Sequence, residues 1–275
     1  MGSLDKIQFN WEGLARTDPF WAICSDNARR GGKWDPEVFF ATGVKEISTV
    51  FSYLGSRGVH PDPNGEALDF GCGVGRLTQA LAERFARCHG VDISETMVKS
   101  ARQLKRRDAD YHLNTKDDLS LFPDQKFSFI YSSIVLQHIP PAVVEKYLRE
   151  FLRILKPGGI LVFQLPDRFL APEQVEPPPQ SHGLVERLRS VFRVRSRFRY
   201  LLQVLGLKKA VPSYHMEMNG IPEQRVRELI ATSSGKVLDV QITNSTLPDF
   251  NGDLQFLPSA PTSGWISRQY CVTRL

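Results

Sequence analysis

Three glycines at every second position, Gly71, Gly73 and Gly75, constrain most strongly what this chain can fold into. They follow an apolar segment, residues 67–70, that contains one acidic residue, Asp69. Glycine allows a sharp turn and a close approach to a ligand, because it carries no Cβ atom. The residues after the glycines have apolar side chains at helical spacing. The pattern predicts a strand, a turn and a helix N-terminus, which is typical of nucleotide-type sites.

The charge of Asp69 separates two kinds of ligand for such a turn. A carboxylate at this position repels a pyrophosphate and attracts a cationic ligand. The fingerprint of nicotinamide-dependent oxidoreductases also requires its third glycine five positions after the first, where this chain has Arg76. The pattern therefore favours a cationic ligand, with a nicotinamide-dependent oxidoreductase as the alternative.

Apolar strand segments alternate with amphipathic helical segments through the middle of the chain. Strands are predicted at residues 67–70, 89–92, 110–113, 127–132 and 160–165, with helices between them and two late strands at 237–243 and 267–273. Because helices that alternate with strands cover both faces of a parallel sheet, we predict an α/β fold with a doubly wound, mostly parallel sheet.

Composition divides the chain into four predicted regions. Residues 1–60 are rich in aromatic side chains and form an N-terminal helical cover or lid, and residues 61–165 form the Rossmann-like core. Residues 166–220, first rich in proline and then basic, form a cap insertion after the fifth strand on the substrate side. Residues 221–275 complete the core sheet.

Residues 69–75 (DFGCGVG) resemble the first motif of class I S-adenosylmethionine-dependent methyltransferases. Residues 90–94 (GVDIS) resemble the acidic second motif of that family, 127–139 its fourth-strand segment, and 155–159 (LKPGG) the turn before its fifth strand. The resemblance covers about residues 65–165. It implies a seven-stranded sheet whose last-added strand is antiparallel, S-adenosyl-L-methionine as cofactor and S-adenosyl-L-homocysteine as product.

The resemblance also implies which residues bind the cofactor. They are Asp69, Gly71, Cys72, Gly73, Asp92, Ile93, Met97, Asn114, Ser132 and Ser133. Asp69 is expected at the cationic end, and Asp92 is expected to accept hydrogen bonds from both ribose hydroxyls, with a helix cap as the alternative role. Met97 either contacts the adenine or packs in the core, and Asp117 is an alternative to Asn114 at the adenine amino group.

His138 follows the predicted fourth strand and is the candidate general base, because the ordinary pKa of histidine suits that role. The alternative is that His138 orients its loop or caps the next helix. Gln164, at the end of the fifth strand, either binds a substrate or satisfies buried backbone groups. No metal site is predicted.

The predicted function is methyl transfer to a small-molecule or lipid-linked acceptor, on oxygen, nitrogen or carbon. Residues 133–136 (SIVL) lack the Asn-Pro-Pro-Tyr type of segment seen in methyltransferases for nucleic-acid amines and glutamine amides, which counts against those acceptors. A non-catalytic S-adenosylmethionine-binding module is the second alternative. The acceptor and the oligomeric state stay open.

Residues 184–209 form a basic amphipathic pattern within a chain of formal net charge +5. Three interpretations compete: a solvated cap helix, a binding element for an anionic or lipid-like acceptor, and peripheral contact with an anionic membrane. Nucleic acid is not expected as a partner, because the charge is local and no nucleic-acid-binding motif is present. The four cysteines lack paired spacing, which favours a reducing, cytoplasmic location.

Overall fold

The structure, a computed structural model, describes residues 3–171 and 214–275, and its strands form a single sheet. The strands are β1 (Glu66–Phe70), β2 (Arg87–Asp92), β3 (Ala109–Leu113), β4 (Phe127–Ser132), β5 (Leu155–Leu170), β6 (Gly235–Thr243), β7 (Phe256–Leu257) and β8 (Gly264–Arg274). Their order across the sheet is β3-β2-β1-β4-β5-β8-β6-β7. Successive strands are added to one side of β1 from β1 to β3 and to its other side from β4 onward. The strand order therefore reverses between β1 and β4, which is where ligands bind in open α/β sheets.

Strands β1 to β5 pair in parallel, and β8 is antiparallel to both of its neighbours, β5 and β6. The predicted fold class and the antiparallel last-added strand are confirmed. The sheet differs from the prediction by one short edge strand, β7, whose two residues pair with β6.

Seven α-helices in the described residues surround this sheet. They are α1 (Ser3–Thr17), α2 (Pro19–Ile23), α3 (Pro36–Ser56), α4 (Arg76–Leu81), α5 (Glu95–Gln103), α6 (Pro141–Ile154) and α7 (Glu223–Thr232). Short 3-10 turns occur at Asn27–Arg29 and Leu136–His138. None of the helices within 3–171 and 214–275 is both long and apolar enough to cross a bilayer.

Helices α3 and α5 each begin at a residue whose side chain caps the helix N-terminus. Asp35 accepts a hydrogen bond from the Val38 amide at 3.0 Å and is followed by a proline, so α3 begins there. Ser94 accepts a hydrogen bond from the Met97 amide at 3.1 Å and begins α5.

Each face of the sheet carries its own apolar core. Leu68 of β1 packs in one cluster with Phe151 of α6 and Ile230 of α7. Ala67, the preceding residue, packs in the other cluster with helices α3 to α5. Because side chains alternate along a strand, one apolar strand supplies both layers.

The predicted boundary of the cap insertion at residue 166 needs correction. Strand β5 continues to Leu170, and Phe169 still pairs with Trp265 of β8. The Ile221 amide donates to the Pro166 carbonyl at 2.9 Å, so residue 221 lies beside β5. The basic segment 184–209 lies outside the described residues.

Candidate functional site

A cavity of about 390 Å³ lies at the carboxyl end of the sheet. The glycine loop after β1, Asp92 at the end of β2 and Ser133 after β4 line it. Helix α1 contributes Trp11 and α2 contributes Ile23. The cavity thus lies where the order of the parallel strands reverses, which is the usual ligand position in a doubly wound sheet.

Most of the predicted binding residues line this one cavity. They are Gly71, Cys72, Gly73, Asp92, Ile93, Met97, Asn114 and Ser133, together with the candidate base His138. Asp69 and Ser132 do not line it. The Ser132 hydroxyl is buried and donates to the Phe70 carbonyl at 3.2 Å, so it joins β4 to β1.

The glycine loop turns against the neighbouring strand. The Gly71 and Cys72 amides both donate to the Val91 carbonyl, at 2.8 and 3.0 Å. Gly71 has a φ of +78°, and a Cβ atom there would lie 2.2 Å from Val135. A Cβ atom at Gly73 would lie 2.5 Å from Ile23. Only glycine allows this close packing, so the loop presents bare backbone to the cavity.

Asp92 joins the glycine loop to the start of α5. One carboxylate oxygen accepts from the Gly73 amide and the other from the Ser94 amide, both at 2.8 Å. Burial raises the pKa of the Asp92 carboxyl above its ordinary value. Each carboxylate oxygen has two lone pairs, so Asp92 retains acceptor capacity toward a ligand in the cavity.

Asp69 lies beneath the loop rather than in the cavity wall, which corrects the expectation of a direct contact with a cationic ligand. Strand alternation turns its side chain to the same face as Ala67, where the Thr78 hydroxyl of α4 donates to it at 2.6 Å. Burial raises the pKa of Asp69 to about 7. Its buried carboxyl therefore supports the loop from below.

Asn114 occupies the cavity wall through a tight local turn. Its side-chain amide donates to the Asp118 carbonyl at 2.7 Å, which holds the loop after β3. The alternative residue, Asp117, instead forms an exposed ion pair with Lys146 and does not line the cavity. Met97 is 1% exposed and also lines the cavity, so core packing and ligand contact are compatible there.

Arg76 is a lining residue that the sequence analysis did not select. Its guanidinium forms an ion pair with Glu46 of α3 at 2.7 Å, and both side chains are almost completely buried. Tyr131 donates to the other Glu46 oxygen at 2.8 Å. The Nε atom of Arg76 has no partner within the described residues. Its position directly after the third glycine was the available signal.

A chain of side-chain hydrogen bonds runs from the Ile134 amide to the Glu217 carbonyl and determines which ring nitrogen of His138 carries the proton. The Ile134 amide donates to Gln164 Oε1 at 3.0 Å, so Gln164 Nε2 is the donor to Gln137 Oε1 at 3.1 Å. Gln137 Nε2 then donates to His138 Nε2 at 3.1 Å. His138 Nδ1 donates to the Glu217 carbonyl at 2.6 Å. An amide can only donate and a carbonyl can only accept, so every direction is assigned.

The expectation that His138 is a general base is not supported by this geometry. Both ring nitrogens are engaged, and the ring packs edge-on against Trp11 at 5.2 Å between centroids. Burial lowers the pKa of His138 to about 4. The histidine is therefore a neutral group that orients its loop, which was the alternative interpretation.

The contacts of Gln164 agree with the second interpretation, because its side chain forms hydrogen bonds with buried backbone and side-chain groups. Its Oε1 atom accepts from the Ile134 amide, and its Nε2 atom donates to the Ser267 hydroxyl of β8 at 2.8 Å. The Ile134 backbone has a φ of +53°, in the left-handed region that β-branched residues rarely adopt. The Gln164 contact holds this residue in the cavity wall.

Residues 68–163 match the family model described as a methyltransferase domain. The chain is 36% identical over 140 residues to 2-methyl-6-phytyl-1,4-hydroquinone methyltransferase of Synechocystis sp., covering 50% of this chain and 43% of that protein. It is 34% identical over 141 residues to trans-aconitate 2-methyltransferase of Azoarcus sp., covering 50% of this chain and 53% of that protein. The chain thus spans about half the length of these relatives.

Among solved structures, magnesium protoporphyrin IX methyltransferase from Synechocystis, crystallised with bound S-adenosyl-L-homocysteine, superimposes with a TM-score of 0.55. The superposition covers 98% of both chains at 16% sequence identity. At that identity, the likeness supports a common fold.

Proposed function

We propose that residues 68–163, which match the methyltransferase-domain model, form a class I S-adenosylmethionine-dependent methyltransferase domain, and that the chain transfers a methyl group from S-adenosyl-L-methionine to a small-molecule acceptor. The observation that carries the proposal is the glycine backbone of the loop after β1, which is hydrogen-bonded to Asp92 in the wall of the cavity. The relatives named above act on small molecules by their names, which supports the acceptor class.

The residues present fit the cofactor. The Gly71–Gly73 backbone would cradle its amino-acid end, and the unpartnered Nε atom of buried Arg76 would donate to the carboxylate there. Asp92 would accept from the ribose hydroxyls, and Ile93 and Met97 would contact the adenine. When bound, the cofactor supplies a methyl group on a sulfonium, which is activated for displacement.

The protein itself positions the acceptor and excludes water from the cavity. Trp11 of α1 and Ile23 of α2 cover the cavity, and the neutral His138 holds the loop after β4 in one conformation. Methyl transfer is an in-line displacement, so holding an acceptor in line is the main source of rate enhancement.

The lipid-linked or anionic character of the acceptor and a peripheral membrane contact stay predictions. Both rest on residues 184–209, which lie outside the described part of the chain.

Asp92→Ala tests the proposed cofactor site. The variant loses the ribose acceptor and the contacts to the Gly73 and Ser94 amides, each a charge-assisted hydrogen bond. We expect the dissociation constant for S-adenosyl-L-homocysteine to rise about tenfold or more, as measured by isothermal titration calorimetry. Asp108→Asn, at a fully exposed carboxylate paired with Lys105, is the matched control and should bind like the unaltered protein.

Binding of S-adenosyl-L-homocysteine without methyl transfer to any acceptor would favour the second candidate, a non-catalytic binding module. No calorimetric signal with either the cofactor or its product would exclude both functions.

A further inference from the structure

Besides the residues assigned to the cofactor, the cavity lining includes a group of apolar and aromatic side chains, with Ser25, Gln137, Ser245 and Thr246 among the other lining residues. We call this group the acceptor wall and define it by Trp11, His138, Met216, Met218, Phe250 and Trp265. The Thr246 hydroxyl donates to the Trp265 carbonyl at 2.8 Å, and the Asn219 amide donates to the Gln137 carbonyl at 2.7 Å. These backbone contacts hold the wall segments together, so the wall is a built surface.

Ionisable side chains that line the described cavity are few, and each has a partner. They are Cys72, Arg76, Asp92, His138 and Tyr147. Cys72 and Tyr147 are directed to carbonyls, of Gly73 and Lys116, and burial raises the pKa of both groups. Arg76 is paired with Glu46, Asp92 with two backbone amides, and His138 with two neutral groups.

Charges near the rim are also paired. Lys6 of α1 forms an exposed ion pair with Glu217, the residue between the two wall methionines. Glu12 of α1 accepts from Ser94 and Thr96 at the start of α5. Within the described residues, the acceptor wall therefore offers neither a free cation for a carboxylate nor a free base for a proton.

Resting on the proposed function, we propose that the acceptor is an apolar ring compound with an acidic hydroxyl, a phenol or enol that enters the reaction already ionised. The apolar, aromatic wall selects the ring by burial and ring contacts. Because none of the described residues at this wall is a free base, we infer that the hydroxyl loses its proton to solvent before the transfer step.

The transfer step then balances without a protein proton acceptor. The electron pair of the ionised acceptor oxygen forms the new oxygen–carbon bond to the methyl group. The carbon–sulfur bond breaks, and sulfur keeps its electron pair as a neutral thioether. A negative and a positive charge disappear together, and an apolar surrounding favours such a step because neither charge needs hydration in the transition state.

Two other acceptor classes fit this wall less well. A carboxylate concentrates its charge and pays a large desolvation cost without a cation. Arg76 is paired with Glu46, and its remaining Nε donor is the one assigned above to the carboxylate of the cofactor. An alkyl ammonium must lose a proton inside the cavity before it can react, and none of the lining residues within 3–171 and 214–275 is a free base.

A pH series with a panel of phenols of graded acidity, from nitrophenol through cyanophenol to unsubstituted phenol, tests the inference. We expect the inflection of kcat/KM to follow the acidity of each phenol, because the ionised fraction of the acceptor limits the rate. An inflection at one common pH for all phenols would assign the proton to a protein group and overturn the proposal.

Calorimetry on protein saturated with S-adenosyl-L-homocysteine provides a readout independent of turnover. We expect nitrophenol to bind about tenfold more tightly than benzoate of similar size. Equal or tighter binding of benzoate would overturn the acceptor class. Binding of the cofactor product without methylation of any phenol would overturn this inference and leave the proposed function standing, whereas no binding of that product would overturn both.

A lysine introduced into the acceptor wall provides a further test of the binding preference for nitrophenol over benzoate. Met218→Lys should reduce the preference for nitrophenol over benzoate about tenfold, because it supplies the missing cation. Leu238→Lys, at an exposed position of β6 outside the cavity, is the matched control and should keep the preference. An unchanged preference in Met218→Lys would place the bound ring elsewhere and contradict the proposal.

Discussion

At the scale of single residues, chemistry in this protein depends on what each side chain touches. Histidine is the residue type best suited to proton transfer near neutral pH. His138 nevertheless stands between a carbonyl acceptor and an amide donor, and burial disfavours its charged form. The same side chain that suggested a base therefore maintains the shape of the loop.

The buried ion pair between Glu46 and Arg76 gives a prediction at this scale. Glu46→Ala leaves the Arg76 charge without its partner in an almost fully buried position. We expect the free energy of unfolding to fall by about 3–5 kcal/mol in urea denaturation. Lys45→Ala, which removes only the neighbouring exposed ion pair with Asp253, should cost less than about 1 kcal/mol. Similar losses in both variants would contradict this assignment.

At the scale of secondary-structure elements, two glutamines on paired strands have opposite surroundings. Gln164 of β5 and Gln269 of β8 are directly paired across the sheet, and both are buried. Gln164 satisfies the Ile134 amide, Gln137 and Ser267. The Nε2 atom of Gln269 has no partner within the described residues. Position in the sheet alone does not distinguish the two side chains.

The same substitution at both positions should therefore give different results. Gln164→Leu leaves the Ile134 amide without its acceptor, and we expect a loss of about 2–4 kcal/mol in the free energy of unfolding. Gln269→Leu removes an unsatisfied donor and should be neutral or stabilising. Chemical denaturation of the two variants side by side measures the difference, and equal destabilisation would refute the network.

Besides its apolar contacts with the core, helix α1 contacts the start of α5 through the Glu12 carboxylate. Glu12 accepts from the Ser94 hydroxyl at 2.7 Å and the Thr96 amide at 3.2 Å, at the N-terminus of α5. A carboxylate is favoured at a helix N-terminus by the helix dipole. This contact holds the lining residue Trp11 over the cavity.

Glu12→Gln should loosen α1 without unfolding the sheet. Replacing the charge weakens the contacts to α5, and we expect amide hydrogen exchange in α1 to become about tenfold faster. Arg16→Ala, which removes only an exposed ion pair to Glu12, should leave exchange close to that of the unaltered protein. Unchanged α1 protection in Glu12→Gln would show that apolar packing alone holds the helix.

At the scale of the whole molecule, two buried groups change the pH dependence of the unfolding free energy in opposite directions. Burial raises the pKa of Asp69 to about 7, so the folded state holds a proton that the unfolded state releases, and stability falls as pH rises from about 4 to 7. Burial lowers the pKa of His138 to about 4, so the unfolded state binds the extra proton, and stability rises between about pH 4 and 6.5.

Removing one of these titratable groups should reveal the pH dependence of stability that the other contributes. In Asp69→Asn, which keeps an acceptor for Thr78, we expect the dependence of unfolding free energy on pH to become more positive by about 1.4 kcal/mol per pH unit between about pH 5 and 6. In His138→Gln the same dependence should become more negative. Urea titrations at several pH values measure both slopes, and shifts of the same sign would contradict the assignment.

Much of the fold followed from patterns that are local in sequence. The spacing of Gly71 and Gly73 and the alternation of apolar strand segments with helical segments predicted the strands, the doubly wound sheet and the place of the cavity. Eight of the ten predicted binding residues line that cavity, and all except Met97 of α5 lie at the end of a strand or in the loop that follows it. Parallel strands bring their carboxyl ends to one edge, so local position was sufficient there.

The sequence by itself therefore determined the fold class and the position of the site, because periodicity and glycine spacing are properties of neighbouring residues. Only the tertiary structure decided that Asp69 turns under the loop, that Arg76 pairs with a glutamate 30 residues away, and that His138 is neutral. Those outcomes depend on burial and on partners brought together by folding, which no local pattern encodes.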